Sequence, residues 1–129
     1  MSIKKIISAG VSSDHELILL AQKLNIKLDA IYTMDEIKQP LTLGKNYILL
    51  LRKDDSVGHW VAVSDNYYFD AMGQGPPLKL NIKNYNRKQF QGTYSQYCGL
   101  WCLQFLYAKQ NDCMDLFNKF IDLNDRTFE

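Results

Sequence analysis

The chain has 129 residues, of which 47% are hydrophobic and 22% are charged, and its formal net charge is +1. These values are typical of a globular domain and exclude a disordered or fibrous chain. The small net charge gives no field strong enough to favour nucleic acid or a membrane surface. We therefore expect a single domain over residues 1–129, monomeric and without a membrane partner.

The three cysteines are an odd number, and they lie close together at Cys98, Cys102 and Cys113. A disulfide framework needs pairs, so reduced thiols in a reducing compartment are expected. No secretory signal is visible at the N-terminus, and the apolar run at residues 47–51 is too short to span a bilayer. The sequence therefore predicts a protein that is not secreted.

The first predicted element is an amphipathic helix over residues 13–25. Ser13 and Glu16 have the spacing of a capping box, in which hydroxyl and carboxylate exchange backbone hydrogen bonds. Apolar residues then recur at helical spacing, at Leu17, Leu20, Ala21, Leu24 and Leu28. His15 falls in the exposed first turn and is interpreted as a solvated surface residue.

Short extended and helical pieces, at residues 29–32 and 34–39, are expected before Pro40. The following strand, residues 46–52, contains a run of four aliphatic residues, which predicts burial on both faces. A polar loop follows at 53–56, and Gly73, Gly75 and two prolines are expected to end the sheet. The polar, basic stretch 79–90 has no clear periodicity and is expected to lie on the surface.

A hairpin is predicted between strands 59–64 and 67–72, because Asp65-Asn66 lies between two apolar, alternating runs. With that turn, Val61 faces Asp70 and His59 faces residue 72. His59 and Asp70 then share one face as diagonal neighbours, about 7–8 Å apart at Cα. The carboxylate could orient the imidazole, leaving its other nitrogen to take a thiol proton. Trp60 would point from the opposite face.

A helix is predicted to begin at Cys98. Nearly every residue from Gly99 to Ala108 is apolar, on all sides of such a helix, which indicates that it is buried. The positive end of the helix dipole, at the helix N-terminus, would stabilise a thiolate at Cys98. Gly99 has no side chain, so it leaves room for a substrate carbonyl near the sulfur. The alternative, that Cys98 is only a small core residue, stays open on this stretch alone. A last amphipathic helix is predicted from the spacing of Met114, Phe117, Phe120, Ile121 and Leu123.

Acyl chemistry also needs hydrogen-bond donors aimed at a developing oxyanion. The backbone N–H of Cys98 is one candidate. The side-chain amide of Gln91, seven residues upstream, is another.

Four motifs resemble, in the same chain order, those of the adenovirus-type (adenain-like) maturation cysteine proteases, in the clan that includes the SUMO and ubiquitin-like-specific proteases. The motifs carry a His followed by Trp, an acid, a Gln, and a Cys followed by Gly with a second Cys four residues on. They stand at Gly58-His59-Trp60-Val61-Ala62-Val63, Tyr68-Phe69-Asp70-Ala71-Met72-Gly73, Gln91 and Cys98-Gly99-Leu100-Trp101-Cys102. The resemblance covers residues 58–106.

The resemblance implies an α+β fold of the papain-like clan with adenain-type topology, in which a small mixed sheet with a tight catalytic hairpin packs against a buried central helix. It implies Cys98 as nucleophile, His59 as general base, Asp70 as orienter and Gln91 as oxyanion donor. Trp60 would wall a channel for small residues before the scissile bond, and no cofactor or metal is implied.

The implied function is that of a viral or virophage-type endopeptidase, cleaving capsid or polyprotein precursors after small, Gly-rich residues, in the host cytoplasm or the virion. Two departures are visible: a shorter span from His to acid, and a small chain. Activation by DNA, known in the adenovirus proteases, is not carried over because the chain is nearly neutral.

Three alternatives remain at this stage. A metal site from Cys98, Cys102 and His59 is disfavoured, because Cys-x₃-Cys lacks the ligand spacing of structural zinc sites. Cys102 is better interpreted as core, and Cys113 as a surface thiol. A non-enzymatic binding domain would keep Cys98 protonated and unreactive. Within enzymes, an isopeptidase acting on ubiquitin-like modifiers or an acetyltransferase on the same scaffold is the rival hypothesis.

Overall fold

The structure is a computed structural model, and it describes residues 14–53, 57–87 and 98–115. The described residues form two α-helices and a five-stranded sheet. In chain order the elements are α1 (Asp14–Lys23), β1 (Ala30–Thr33), β2 (Asn46–Lys53), β3 (Val57–Ser64), β4 (Tyr67–Phe69), β5 (Asn84–Tyr85) and α2 (Cys98–Gln110).

The strands lie in the sheet in the same order as in the chain, from β1 to β5. The outer pairs β1–β2 and β4–β5 are parallel, while β2–β3 and β3–β4 are antiparallel. The predicted α+β class with a small mixed sheet is therefore confirmed. Among the described residues, no helix is long and apolar enough to cross a membrane.

Apolar residues are buried on both faces of the sheet, as the aliphatic run in β2 predicts. Alternation along β3 sends Ala62 to one face and Val61 and Val63 to the other. Both helices pack on the face of Ala62. The buried cluster between them and the sheet consists mainly of Leu17, Leu20, Ala21, Ile48, Ala62, Phe69, Cys102, Leu103, Phe105 and Leu106. The second cluster consists of Ile37, Tyr47, Leu49, Val61, Val63 and Tyr68. We call these the helix-side and the far-side cluster.

Helix α1 agrees with the predicted amphipathic helix, and His15 is exposed as expected. Its end is set by Asn25, whose φ of 56° is left-handed, and by a hydrogen bond from the Ile26 N–H to the Ala21 carbonyl. This is the Schellman arrangement, which asparagine tolerates well. Leu24 is exposed, so its predicted place on the apolar face is wrong. Ser13 lies outside the described residues.

Strand β4 is shorter than predicted, because it ends at Phe69 instead of residue 72. The chain turns at once: the Gly73 N–H donates to the Asp70 carbonyl, and the Met72 N–H donates to Asp70 Oδ1. Aspartate at the first and glycine at the fourth position are typical of such a turn, and Gly73 has a φ of 74°. The predicted pairing of His59 with residue 72 is therefore wrong.

The sheet does not end at residues 73–77, contrary to the prediction. The chain forms a 3₁₀ turn at Leu78–Leu80 and returns as β5, which pairs in parallel with β4. The stretch 79–90 is therefore not simply a surface loop. Its described part includes the half-buried Tyr85 and the buried Asn86.

Helix α2 begins at Cys98, as predicted, but it is not buried on every side. Gln104 is exposed and Tyr107 is 45% exposed, so one stripe of the helix faces solvent. Cys102 is fully buried, as expected. Cys113 has intermediate exposure and packs in part against the helix-side cluster, so its interpretation as a surface thiol holds only in part. The predicted last helix falls mostly outside the described residues.

Candidate functional site

His59 and Asp70 are in direct contact at the open end of the β3–β4 hairpin. The Asp65-Asn66 turn has positive φ at both residues, 50° and 67°, as a type I′ turn requires. It fixes the pairing of Ser64 with Tyr67 and of Ala62 with Phe69. If the same register is continued one residue beyond the pair Ala62–Phe69, Asp70 lies beside Val61. His59 Nε2 then lies 2.6 Å from Asp70 Oδ1.

This contact has the geometry of an oriented general base. The side chain of Asp70 is 2% exposed and that of His59 is 24% exposed, so the carboxylate is shielded and the imidazole is reachable. A carboxylate accepts, so Nε2 is the donor, and Nδ1 of the neutral ring is the nitrogen that can take a proton. Such charge-assisted hydrogen bonds are short and strong.

Asn86 is the residue of the site that the sequence did not reveal. It follows β5 directly, and its Oδ1 accepts from the Asp70 N–H at 2.9 Å while its Nδ2 donates to the Asp70 carbonyl at 2.6 Å. The side chain is 8% exposed. An asparagine in a polar loop gives no local signal; only the parallel pairing of β5 with β4 places it there.

The proposed nucleophile is the first residue of α2, where unpaired backbone N–H groups and the helix dipole favour a thiolate. The side chain of Cys98 and the whole of Gln91 lie outside the description, so their predicted roles stay predictions. Gly99 is buried. Trp60 is half-buried and packs against the helix-side cluster, as do Leu100 and Trp101 in the first turn of α2.

The two faces of the sheet restrict where thiol and imidazole could meet. Because side chains alternate along β3, His59 lies on the same face of the sheet as Val61 and Val63, which is the far side. Helix α2 packs on the opposite face, the face of Ala62. Strand β4 pairs with β3 only as far as Ala62, so it does not flank β3 at His59. A thiol at the N-terminal tip of α2 would therefore have to reach the imidazole around this edge of β3.

A separate groove of about 310 Å³ lies at the turn end of the hairpin. Apolar residues such as Ile37, Val63 and Leu80 line it together with polar residues that include Lys38 and Lys79. Neither His59 nor Asp70 lines it. Within residues 14–53, 57–87 and 98–115, no three His, Cys, Asp or Glu side chains form a group that could hold a metal ion.

No known protein family, curated protein or solved structure matches this chain.

Proposed function

We propose that this protein is a cysteine endopeptidase of the papain-like clan with adenain-type topology, and that it cleaves capsid or polyprotein precursors after small, Gly-rich residues. The hydrogen bond of 2.6 Å between His59 and the buried Asp70 carries the proposal. A hairpin that pairs a partly exposed imidazole with a shielded carboxylate fits the orienting half of a catalytic triad. A helix that begins at Cys98 supports the other half.

In the proposed mechanism the Cys98 thiolate attacks the scissile carbonyl, after its proton has moved to His59 Nδ1. The tetrahedral oxyanion is held by the Cys98 N–H and the Gln91 amide. It collapses to a thioester as His59 gives its proton to the departing amine. A water molecule, deprotonated by His59, then attacks the thioester, which releases the acid and restores the thiol.

The test is to incubate the protein with capsid precursors and with ubiquitin-like conjugates, and to map the new termini by mass spectrometry. Cys98→Ala is expected to abolish cleavage while the far-UV and near-UV CD spectra stay unchanged. Cys113→Ala is the matched control, since this thiol is partly buried and is not in the proposed site, and it should retain activity.

Each outcome separates the proposal from its rivals. Cuts inside a precursor chain, after small residues, support the endopeptidase. Release of an intact modifier would favour the isopeptidase instead. Undiminished cleavage by Cys98→Ala would remove Cys98 from the mechanism. If nothing is cut and iodoacetamide at neutral pH does not label Cys98, a non-enzymatic binding domain is the better interpretation.

A further inference from the structure

We propose that Asn86 is a positioning residue, which holds the backbone of Asp70 so that its carboxylate stays on His59. The kinetic consequence of this proposal rests on the proposed function. The structural consequence does not, because the contact between Asp70 and His59 is a property of the fold.

The parallel pairing of β4 with β5 explains how Asn86 reaches Asp70. Tyr67 pairs with Asn84 and Tyr68 with Tyr85, so β5 ends beside the end of β4. A carboxamide carries one carbonyl acceptor and an NH₂ donor, the same pair that a peptide group offers. The side chain of Asn86 therefore binds both the N–H and the carbonyl of Asp70, as a further strand residue would.

Asparagine is the residue type that this position needs. Aspartate would retain an acceptor for the Asp70 N–H, but it would set a second oxygen against the Asp70 carbonyl. Alanine would remove the acceptor of the Asp70 N–H and would leave the Asp70 carbonyl with the Gly73 N–H but without the Asn86 amide. Unmade hydrogen bonds are costly in a buried place. Glutamine has the right amide on a longer side chain, and little room is expected for it because Asn86 is buried.

Asp70 links Asn86 to His59, because it is hydrogen-bonded to both of them. Asn86 fixes the main chain of Asp70 on the β5 side, and the turn that follows fixes its Oδ1 through the Met72 N–H. With both constraints, Oδ1 lies 2.6 Å from His59 Nε2. Without Asn86, the main chain of Asp70 can shift, and a displacement of about 1 Å at a catalytic group costs up to about 100-fold in rate.

The first experiment needs no activity and observes the imidazole Nε2–H by proton NMR. A proton held in a short hydrogen bond to a carboxylate resonates far downfield and exchanges slowly. The chain has only two histidines, and His15 is exposed, so the signal is assigned to His59. We expect Asn86→Ala to lose or shift this signal. Asn84→Ala, the matched control on β5 with an exposed side chain, should retain it.

The second experiment is a double-mutant cycle on cleavage. Asn86→Ala is expected to lower kcat by roughly 10- to 100-fold, with KM little changed. In an Asp70→Asn background the same substitution should cause almost no further loss, because coupled residues are not additive. A merely structural role would lower activity by the same factor in both backgrounds, and that result would overturn the proposal.

The two experiments separate failure of this proposal from failure of the proposed function. If the wild-type protein cleaves nothing, the NMR signal still decides whether Asn86 holds Asp70. An unchanged downfield signal in folded Asn86→Ala contradicts the proposal whatever the activity. Should Asn86→Ala not fold, Asn86→Leu takes its place, since leucine fills a similar volume and offers no hydrogen-bonding group to Asp70; a signal identical to the wild type would then count against the proposal.

Discussion

Asp70 illustrates how much of this site depends on single residues. Its carboxylate accepts hydrogen bonds from His59 and from the Met72 N–H, and its main chain is bound by Asn86 and by the Gly73 N–H. Hydrogen-bond partners from β3, from the turn after β4 and from the residue after β5 therefore all bind Asp70. Such a residue is better fixed than its position at the end of a three-residue strand would suggest.

Tyr68, two residues earlier, has a buried phenol whose pKa is raised, first by burial and then by the charges of Asp70 and Cys102. Because the folded protein holds this proton more tightly than the unfolded chain, the resulting stabilisation is complete below pH ~10 and is lost as the pH rises further. We expect the free energy of unfolding to fall above pH ~10 by up to about 1.4 kcal/mol per pH unit for this group.

Tyr68→Phe should reduce that alkaline slope, measured by urea unfolding at several pH values. At neutral pH it should leave stability equal or raise it by up to about 1 kcal/mol, since no hydrogen-bond partner of this hydroxyl is present among the described residues. Tyr107→Phe, on the exposed stripe of α2, is the control and should keep the wild-type slope. An identical slope in Tyr68→Phe would contradict the assignment.

At the scale of elements, the hairpin could be predicted from sequence because its information is local. Asp65 and Asn66 tolerate positive φ, the turn fixes the register, and the register brings His59 and Asp70 together. The start of α2 at Cys98 follows for a similar reason, since an apolar run begins there after polar residues. The predicted strand β4 is too long, because the alternating pattern of residues 67–72 continues beyond Phe69. The turn from Asp70 to Gly73 ends the strand at Phe69.

Strand β5 and Asn86 could not be predicted, because nothing near them in the chain indicates them. A two-residue strand is below the length at which periodicity can be detected. Its pairing with β4 depends on the intervening loop of residues 70–83 and on tertiary packing. The exposed stripe of α2 was missed for a related reason: Tyr107 is hydrophobic by composition, but its ring lies at the surface.

The side chain of Gln110, at the end of α2, is hydrogen-bonded to the backbone of the segment that follows α1. Gln110 Oε1 accepts from the Lys27 N–H at 2.7 Å, and its Nε2 donates to the Asn25 carbonyl at 2.6 Å. We expect Gln110→Ala to lower the free energy of unfolding by about 1 kcal/mol, because exposed hydrogen bonds contribute at the lower end of the usual range. Urea unfolding measures it, with Gln104→Ala as an exposed control on the same helix.

A loss below about 0.3 kcal/mol in Gln110→Ala, or an equal loss in Gln104→Ala, would show that this double hydrogen bond does not stabilise the junction. In that case the packing of the two helices on the sheet alone would hold them together.

At the scale of the whole molecule, the helix-side core is centred on Phe105. Its ring is fully buried and stacks on Phe69 at 4.7 Å and on Tyr67 at 5.7 Å. Phe105→Ala should cost about 3–5 kcal/mol, a large part of the 5–15 kcal/mol typical of a domain. Tyr107→Ala, two residues on, should cost far less. Comparable losses in the two variants by urea unfolding would contradict this packing.

The lengths of the strands across the sheet have a consequence for self-association. The two outermost strands in the described part of the chain, β1 and β5, have four and two residues, whereas the central β2 and β3 have eight each. An outer strand has unpaired backbone N–H and C=O groups, to which another chain can bind as an additional strand and so begin a fibril. Outer strands of four and two residues offer few such groups. Concentrated solutions of the folded protein are therefore expected to resist polymerisation through the margins of the sheet.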